Sequence, residues 1–382
     1  MKATRTAAGV AMLCALALAG CKPKDFPQYP ANYREYAYVT NTGSGTVSVY
    51  DVVNVRLDRE IAVSANPVAV TASPVKNEVY VVNAGTAGGN GFVTVIDAEK
   101  NAVAAVIAVH RQPAALALDP EGAVAYVANA ASNSVSVVDL KTRREVAVIG
   151  TGETPSAVRV APDGKTLAVA NRGGNSVSLI DTKTRTVRGV IEGCPGASDV
   201  VILPDSSKAF AACSGGHQIV AIQLKQEARA GSADRMEALL DVGHGPVQLA
   251  LKPDGGELFT LNAQSNSISE VVTGTNDVGG AYMMGDNPIR GLVSTDNSLL
   301  YVGNLHSQEV TIYAVEDGKR TGSVHVGDGP SALAFSTNGF LLFVVDARSG
   351  DVAVVRTASR SLFTVLPAGR NPSAIAVKGF SI

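Results

Sequence analysis

The fold is decided by a stretch that recurs along the chain, PSAVRVAPDGKTLAVANRGGNSVSLIDTKTRTVRGVI, residues 155–191. It contains four short runs that alternate apolar residues with small or polar ones. Turn sequences such as Pro162-Asp163-Gly164 separate these runs. Alternation with period two predicts half-buried β-strands, and Pro-Asp-Gly predicts a turn between strands. The stretch therefore predicts one antiparallel sheet of four strands.

The same unit occurs eight times. Its opening position recurs every 42 residues, apart from two longer intervals: Pro67, Pro113, Pro155, Ala197, Pro246, Pro288, Pro330 and Pro372. The last residue of its second run, called here the landmark position, recurs in step: Asn41, Asn83, Asn129, Asn171, Cys213, Asn262, Asn304 and Asp346. Insertions around residues 86–91 and 226–234 account for the longer intervals. One twisted sheet cannot cover both of its faces, so such units are expected to stack around an axis as the blades of a propeller.

Seven units are complete, and the eighth is divided between the two ends of the chain. Residues 36–66 supply its second, third and fourth strands, and residues 372–378 supply its first strand. We therefore predict an all-β fold over residues 36–382, a single eight-bladed β-propeller closed by the C-terminal strand. Closure removes the exposed sheet edges that favour aggregation. A count of seven blades is the less favoured alternative.

Four copies of the second strand share a motif: Tyr38-Val39-Thr40-Asn41, Tyr80-Val81-Val82-Asn83, Tyr126-Val127-Ala128-Asn129 and Tyr301-Val302-Gly303-Asn304. They resemble the signature of the YVTN family of β-propeller repeats. The resemblance extends over about residues 36–380 and implies a propeller fold. WD-repeat propellers are excluded, because the chain has no Trp.

Residues 1–20 have the features of a secretory signal peptide. A positively charged start precedes an apolar segment, Ala7–Leu18, that is too short for a membrane span. Leu18-Ala19-Gly20-Cys21 resembles a bacterial lipobox, which implies cleavage before Cys21, its lipidation and export. Lys22 favours the outer membrane over retention at the inner one. Residues 21–35 are Pro-rich and predict an extended tether, so we expect a lipid-anchored envelope protein, on the periplasmic face of the outer membrane.

Composition excludes several classes of function. The chain has 46% hydrophobic and 17% charged residues and a net charge of −2, so it is too apolar for intrinsic disorder. It has no basic excess to bind a phosphate backbone, so nucleic acid is not expected as a partner. No GxSxG elbow and no CxxCH haem-attachment motif is present. No cofactor is predicted on these grounds.

Comparison of the eight copies shows where side chains break the packing pattern. Two residues after the opening position five copies carry Ala, whereas three consecutive copies carry Asp199, Gln248 and Arg290. Arg159 lies two residues further along the preceding copy. Burying a charge without a partner is costly, so these four residues predict one of two arrangements. They form either a network that satisfies its own charges and hydrogen bonds within the protein, or a ligand-binding patch at the mouth of the central channel.

Four of the five histidines map to loops or strand ends on one face of the propeller: His110, His217, His244 and His306. Arg172 maps to a loop of the same face, as do Arg111, Arg348 and Arg370. Arginines grouped in this way would favour an anionic ligand, although exposed polar residues are also ordinary in loops. No HExxH, CxxC or i,i+4 pair of histidines supports a metal site.

Two cysteines remain for the mature domain once Cys14 of the signal peptide and the lipidated Cys21 are set aside. These are Cys194 and Cys213. An oxidising compartment favours a disulfide between them, and the alternatives are two buried free thiols or a redox or metal-binding role.

The expected function is that of a ligand-binding or protein-interaction module of the bacterial cell envelope. Its partner would be an envelope protein or a small anionic ligand, with membrane contact through the lipid at Cys21. The alternative is a cofactor-binding, metal-binding or enzymatic propeller. Eight blades in an exported protein resemble the haem d1-binding propellers of denitrification, and other propellers act as lactonases or lyases. Fold alone does not decide between these functions.

Overall fold

The computed structural model describes residues 26–226 and 232–382. The predicted signal peptide and Cys21 lie outside the described residues. The described residues form 32 strands and one short 3-10 helix, Ala130–Ser132. In chain order the strands are β1 Tyr33–Asn41, β2 Thr46–Asp51, β3 Arg56–Ala62, β4 Pro67–Ala72, β5 Glu78–Asn83, β6 Asn90–Asp97, β7 Ala102–Arg111, β8 Pro113–Leu118, β9 Val124–Asn129, β10 Ser134–Asp139, β11 Arg144–Gly150, β12 Pro155–Val160, β13 Thr166–Asn171, β14 Ser176–Asp181, β15 Thr186–Glu192, β16 Ala197–Ile202, β17 Lys208–Cys213, β18 Gln218–Gln223, β19 Arg235–Asp241, β20 Pro246–Leu251, β21 Glu257–Asn262, β22 Ser267–Val272, β23 Asp277–Met283, β24 Pro288–Val293, β25 Leu299–Asn304, β26 Glu309–Ala314, β27 Lys319–His325, β28 Pro330–Phe335, β29 Leu341–Asp346, β30 Asp351–Arg356, β31 Ser361–Pro367 and β32 Pro372–Ser381. Within the described ranges, no helix has the length and apolar character needed to cross a membrane.

The strands form eight antiparallel sheets of four strands, and each sheet is one blade. Blades 1 to 7 each use four consecutive strands, from β4–β7 in blade 1 to β28–β31 in blade 7. Blade 8 has the order β32-β1-β2-β3, so its first strand comes from the C-terminus. The eight-bladed count and the mode of closure are thereby confirmed, and the alternative count of seven is wrong.

The first strands of the blades form a closed inner ring. Each contacts the first strand of the next blade, and β32 of blade 8 contacts β4 of blade 1. Closure is extensive, because β1 and β32 pair from Tyr33↔Ser381 to Asn41↔Pro372. The backbone N–H of Thr337 in blade 7 also donates to Glu35 of blade 8 at 2.6 Å. A ring built in this way surrounds a central channel.

The hydrophobic core lies between neighbouring blades rather than inside any one of them. Between blades 2 and 3, for example, Tyr126 and Val137 pack with Val158 and Leu167. Both faces of each sheet are therefore buried against a neighbour, which leaves few strand positions for charged residues. This arrangement explains the low charge content of the chain.

In blades 6 and 8 the landmark asparagine joins the second strand of the blade to its third strand and to the loop before its first strand. In blade 6 the Asn304 amide donates to Thr311 Oγ1 at 2.8 Å and accepts from Gly285 N at 3.1 Å. A Cβ on Gly285 would lie 2.6 Å from the Asn304 side chain, so this contact requires glycine. In blade 8 Asn41 donates to Ser48 in the same way, at 2.9 Å. The landmark position is thus a structural one.

A disulfide joins Cys194 and Cys213, as predicted. Cys194 occupies the position of the glycine in this contact, and Cys213 occupies the landmark position. Val220 stands where the third strand carries Ser or Thr in the blades that have a landmark asparagine. In blade 4 the disulfide therefore replaces the glycine–asparagine–hydroxyl contact that blades 6 and 8 make. Both cysteines are fully buried.

Candidate functional site

The predicted polar patch lies on the first strands of blades 3 to 6. Asp199 is buried, whereas the Arg159 side chain is 48% exposed and Arg290 is also exposed. Because the first strands surround the channel, exposed side chains on them face its interior. We call Arg159, Asp199 and Arg290 the channel cluster. These residues are far apart in sequence, and the ring brings them together.

Asp199 links three blades. Its Oδ1 lies 3.6 Å from Arg159 Nη2 of blade 3 and accepts a hydrogen bond from Val200 N at 2.9 Å. Its Oδ2 accepts from Leu249 N of blade 5 at 3.1 Å. Both carboxylate oxygens therefore have hydrogen-bond donors within the protein. This part of the patch is the self-satisfied network that the sequence allowed.

Gln248 uses its side-chain amide to join blades 5 and 6. Its Oε1 accepts from Gly291 N at 2.6 Å, and its Nε2 donates to Leu249 O at 3.1 Å. The amide of Gln248 is thus directed at backbone groups of the wall. Its predicted role as a ligand contact gains no support from this geometry.

Arg290 differs from its neighbours. Its guanidinium makes no hydrogen bond or ion pair with the described residues, although it is surrounded by the inner ring. Burial among protein atoms lowers the pKa of Arg290, attraction to Asp199 raises it, and repulsion from Arg159 lowers it further. Arginine nevertheless stays charged at neutral pH. Two arginines facing one carboxylate leave the cluster with one uncompensated positive charge.

The first strands of blades 7, 8 and 1 carry alanine where blades 4 to 6 carry Asp199, Gln248 and Arg290: Ala332, Ala374 and Ala69. The larger aliphatic side chains one position further belong to the packing between blades, since Leu333 and Val70 pack against inter-blade core clusters.

Two of the four histidines contact each other, and the other two lie apart from them. His217 of blade 4 and His244 of blade 5 have ring centroids 5.6 Å apart. His306 Nδ1 lies 3.8 Å from Asp286 Oδ2. His110 lies on β7, the outermost strand of blade 1, with its Nε2 3.3 Å from Glu145 Oε2.

No contact within the described residues joins any of these histidines to the channel cluster. Arg172 lies in an exposed loop after β13. Within residues 26–226 and 232–382, no group of three or more His, Cys, Asp or Glu side chains is arranged to hold a metal ion.

A half-buried acid, Glu270, was not identified as a feature of its own from the sequence. Glu270 stands on the third strand of blade 5, where the other blades carry an aliphatic residue. Tyr313 of blade 6 donates to Glu270 Oε2 at 3.3 Å. Burial raises the pKa of Glu270, and repulsion by Glu257 adds to the rise. Glu270 lies on a different blade and strand from Asp199, so the two do not form an acid pair.

Comparison with known proteins identifies a matching family and solved structures with a similar fold. A family model described as YNCE-like β-propeller matches residues 90–378. No curated protein matches the chain. Among solved structures, a chain of hydrazine synthase from Kuenenia stuttgartiensis is 26% identical, with 76% of this chain and 96% of that chain covered and a TM-score of 0.59.

Two further structures share the fold. The dihydro-heme d1 dehydrogenase NirN in complex with DHE is 18% identical, covers 94% of this chain and 78% of its own, and has a TM-score of 0.70. AztD from Citrobacter koseri is 13% identical, with 91% and 99% covered and a TM-score of 0.69. Identities this low show the fold alone.

Proposed function

The chain belongs to the YNCE-like β-propeller family, and from this premise we propose that it is a lipid-anchored envelope protein that binds a small anionic ligand in its central channel. The observation that carries the proposal is Arg290, a guanidinium that faces the channel and has no hydrogen-bond or ion-pair partner in residues 26–226 and 232–382. Arg159 lies in the same cluster, and Asp199 compensates one of the two charges.

The electrostatics of the channel cluster favour an anion. A guanidinium offers five N–H donors in a rigid fork that suits carboxylate or phosphate oxygens. Charges enclosed by protein interact more strongly than charges in water, because the effective dielectric constant is lower. The Asp199 oxygens already accept backbone hydrogen bonds and so hold the site together. An anion between the arginines would complete the hydrogen bonding of Arg290.

The location in the cell envelope is supported by the N-terminal sequence and by the disulfide. The segment ending in Cys21 resembles a lipobox, and the Pro-rich sequence that follows it is typical of an extended tether. The Cys194–Cys213 disulfide is also typical of proteins exported to an oxidising compartment.

The proposal is tested by titrating the purified protein with acetate and with inorganic phosphate in a calorimeter. The Arg290→Gln variant should bind more weakly by about tenfold or more, because a charge-assisted hydrogen bond contributes about 1.5–3 kcal/mol. Arg144→Gln is the matched control, since Arg144 is exposed on the outermost strand of blade 2. Unchanged binding in Arg290→Gln, or no binding by the unmodified protein, would reject the proposal.

A cofactor-binding propeller is the second candidate function. It is favoured by the likeness to NirN in complex with DHE, which extends over 94% of this chain. Two arginines in the channel would also suit the carboxylates of a macrocyclic cofactor. The absorbance spectrum of the protein purified from its native host tests this alternative, because a bound macrocycle would give a strong band in the visible or near-ultraviolet range.

A further inference from the structure

A cavity of about 340 Å³ lies between blades 6 and 7, at the face opposite the landmark positions. Its wall is formed by the turns that join the first strand to the second in both blades, and by the turn between β30 and β31. We propose that this cavity binds a small monocarboxylate, whose oxygens accept hydrogen bonds from the Tyr301 hydroxyl and the Arg360 guanidinium. The cavity shares no residue with the channel cluster, so this is a second ligand site, independent of the proposed channel site.

The Tyr301 hydroxyl is a donor without an acceptor. Tyr301 is 1% exposed and lines the cavity, and its hydroxyl makes no hydrogen bond with residues 26–226 or 232–382. Burial raises the pKa of Tyr301, while attraction to the charge of Arg360 opposes the rise. The hydroxyl is therefore protonated at neutral pH and lies near a positive charge. Buried hydroxyls normally have a hydrogen-bond partner, and the cavity is where an acceptor can reach this one.

The interface between blades 1 and 2 shows which acceptor suits such a pair of donors. Tyr80 of blade 1 occupies the repeat position of Tyr301. Arg143 of blade 2 occupies the repeat position of Arg360. The carboxylate of Glu78 lies between these donors, with one oxygen 2.6 Å from the Tyr80 hydroxyl and the other 3.0 Å from Arg143 Nη2. One carboxylate thus serves both donors within the chain.

Blades 6 and 7 keep the two donors but lack this carboxylate. Leu299 occupies the repeat position of Glu78, and it lines the cavity. Within the described ranges Arg360 donates only to Thr321 Oγ1, at 3.4 Å, and forms no ion pair. The carboxylate of a ligand in the cavity would take the place of the Glu78 carboxylate, with one oxygen toward each donor. Hydrogen bonds between charged groups of this kind are about twice as strong as neutral ones.

The remaining wall favours a ligand with a single carboxylate on a compact apolar body. Leu299 and the Phe335 ring provide apolar surface beside the two donors. Asp296 is the second charged side chain among the residues that line the cavity. Hydrogen bonds from Ser294 and Ser298 lower the pKa of Asp296, so this side chain is ionised at neutral pH. A second carboxylate on the ligand would therefore be repelled.

The test is a calorimetric titration with benzoate of the purified Arg290→Gln variant, in which the channel cluster has lost its unpaired charge. Adding Arg360→Gln should weaken benzoate binding about tenfold or more, because a charge-assisted hydrogen bond is lost. Adding Tyr301→Phe should weaken it several-fold without unfolding the protein, since blades 4, 5 and 7 carry Phe at this position. Arg144→Gln, on the exposed outer strand of blade 2, is the matched control and should leave binding unchanged.

A second variant fills the site from within the chain. Leu299→Glu supplies the carboxylate that Glu78 supplies between blades 1 and 2. It should abolish benzoate binding and raise the melting temperature, because Tyr301 and Arg360 then have an internal acceptor. Leu299→Gln has the same size without the charge and should raise the melting temperature less.

The outcomes keep this site separate from the channel site. Unchanged benzoate binding after Arg360→Gln or Leu299→Glu, or no binding of benzoate by the Arg290→Gln variant, would overturn the carboxylate site and leave the channel proposal standing. Benzamide, which lacks the charge, should bind at least roughly tenfold more weakly than benzoate, and equal binding would overturn the recognition of a carboxylate. Phthalate, with a second carboxylate, should also bind more weakly, and tighter binding would overturn the preference for a monocarboxylate.

Discussion

Replacing Asp346 by Asn should stabilise the propeller, and the gain should grow as the pH rises. Asp346 occupies the landmark position of blade 7, where six other blades carry Asn. It is fully buried, and its Oδ2 accepts from Gly327 N at 3.0 Å. In the described part of the chain its Oδ1 has no hydrogen-bond partner. On the third strand of blade 7, Ala353 occupies the position where the blades with a landmark asparagine carry Ser or Thr.

The magnitude follows from linkage between proton binding and folding. Burial raises the pKa of Asp346 from 3.8 to about 8, and repulsion by Asp351 contributes to the rise. Between these values the folded protein retains a proton that the unfolded chain releases. The free energy of unfolding then falls with rising pH by up to about 1.4 kcal/mol per pH unit. This cost amounts to about 2 kcal/mol near pH 5 and about 4–5 kcal/mol near pH 7.5.

An asparagine at this position carries no such cost. Its amide could donate to Asp351 Oδ1, which has no partner among the described residues. The stability difference between Asp346→Asn and the unmodified protein should therefore widen by about 3 kcal/mol from about pH 5 to about pH 7.5. Titrating groups that do not interact with Asp346 are common to both proteins and cancel in this difference.

The assay is urea unfolding followed by circular dichroism at both pH values. The matched control is the reverse change in blade 6, Asn304→Asp, where the side chain is equally buried. This variant should be destabilised, and more so at the higher pH. A difference for Asp346→Asn that is the same at both pH values, or a variant less stable than the unmodified protein near pH 7.5, would refute the reasoning.

Two further predictions concern the disulfide and the C-terminal strand that closes the ring. Cys194→Ala/Cys213→Ala should lower the free energy of unfolding by about 3 kcal/mol, because the disulfide closes a loop of 19 residues; equal urea midpoints for variant and unmodified protein would contradict this. Deleting residues 371–382 removes β32 and opens the ring between blades 7 and 1, so the melting temperature should fall substantially; an unchanged melting temperature would show that the ring does not depend on this strand.

The repeat made the fold predictable. Alternation in residues 155–191 identified four strands, and recurrence of the opening position fixed eight copies and the split blade. The disulfide could also be anticipated, because Cys194 and Cys213 both replace residues of the repeat. Copies of one unit that pack only against their neighbours allow local sequence to determine local structure.

The candidate site was predictable only in part. Asp199, Gln248 and Arg290 were recognised because they break the repeat. The sequence did not show that Gln248 is directed at the backbone of blade 6, or that Arg290 has no partner. The histidines do not form one group, because position on a face does not set the distance around the ring.

The sequence by itself determined the strands, their order within each blade, the blade count and the closure by the C-terminal strand. These features depend on the alternation of apolar with small or polar residues within each strand, and on the repeat of the whole unit along the chain. Only the tertiary structure decided which first-strand side chains meet across the channel and which of them remain unpaired. Contacts between blades join residues about 42 or more positions apart, and their distances are set by ring closure rather than by any local pattern. The channel cluster of Arg159, Asp199 and Arg290 exists only when the ring is closed.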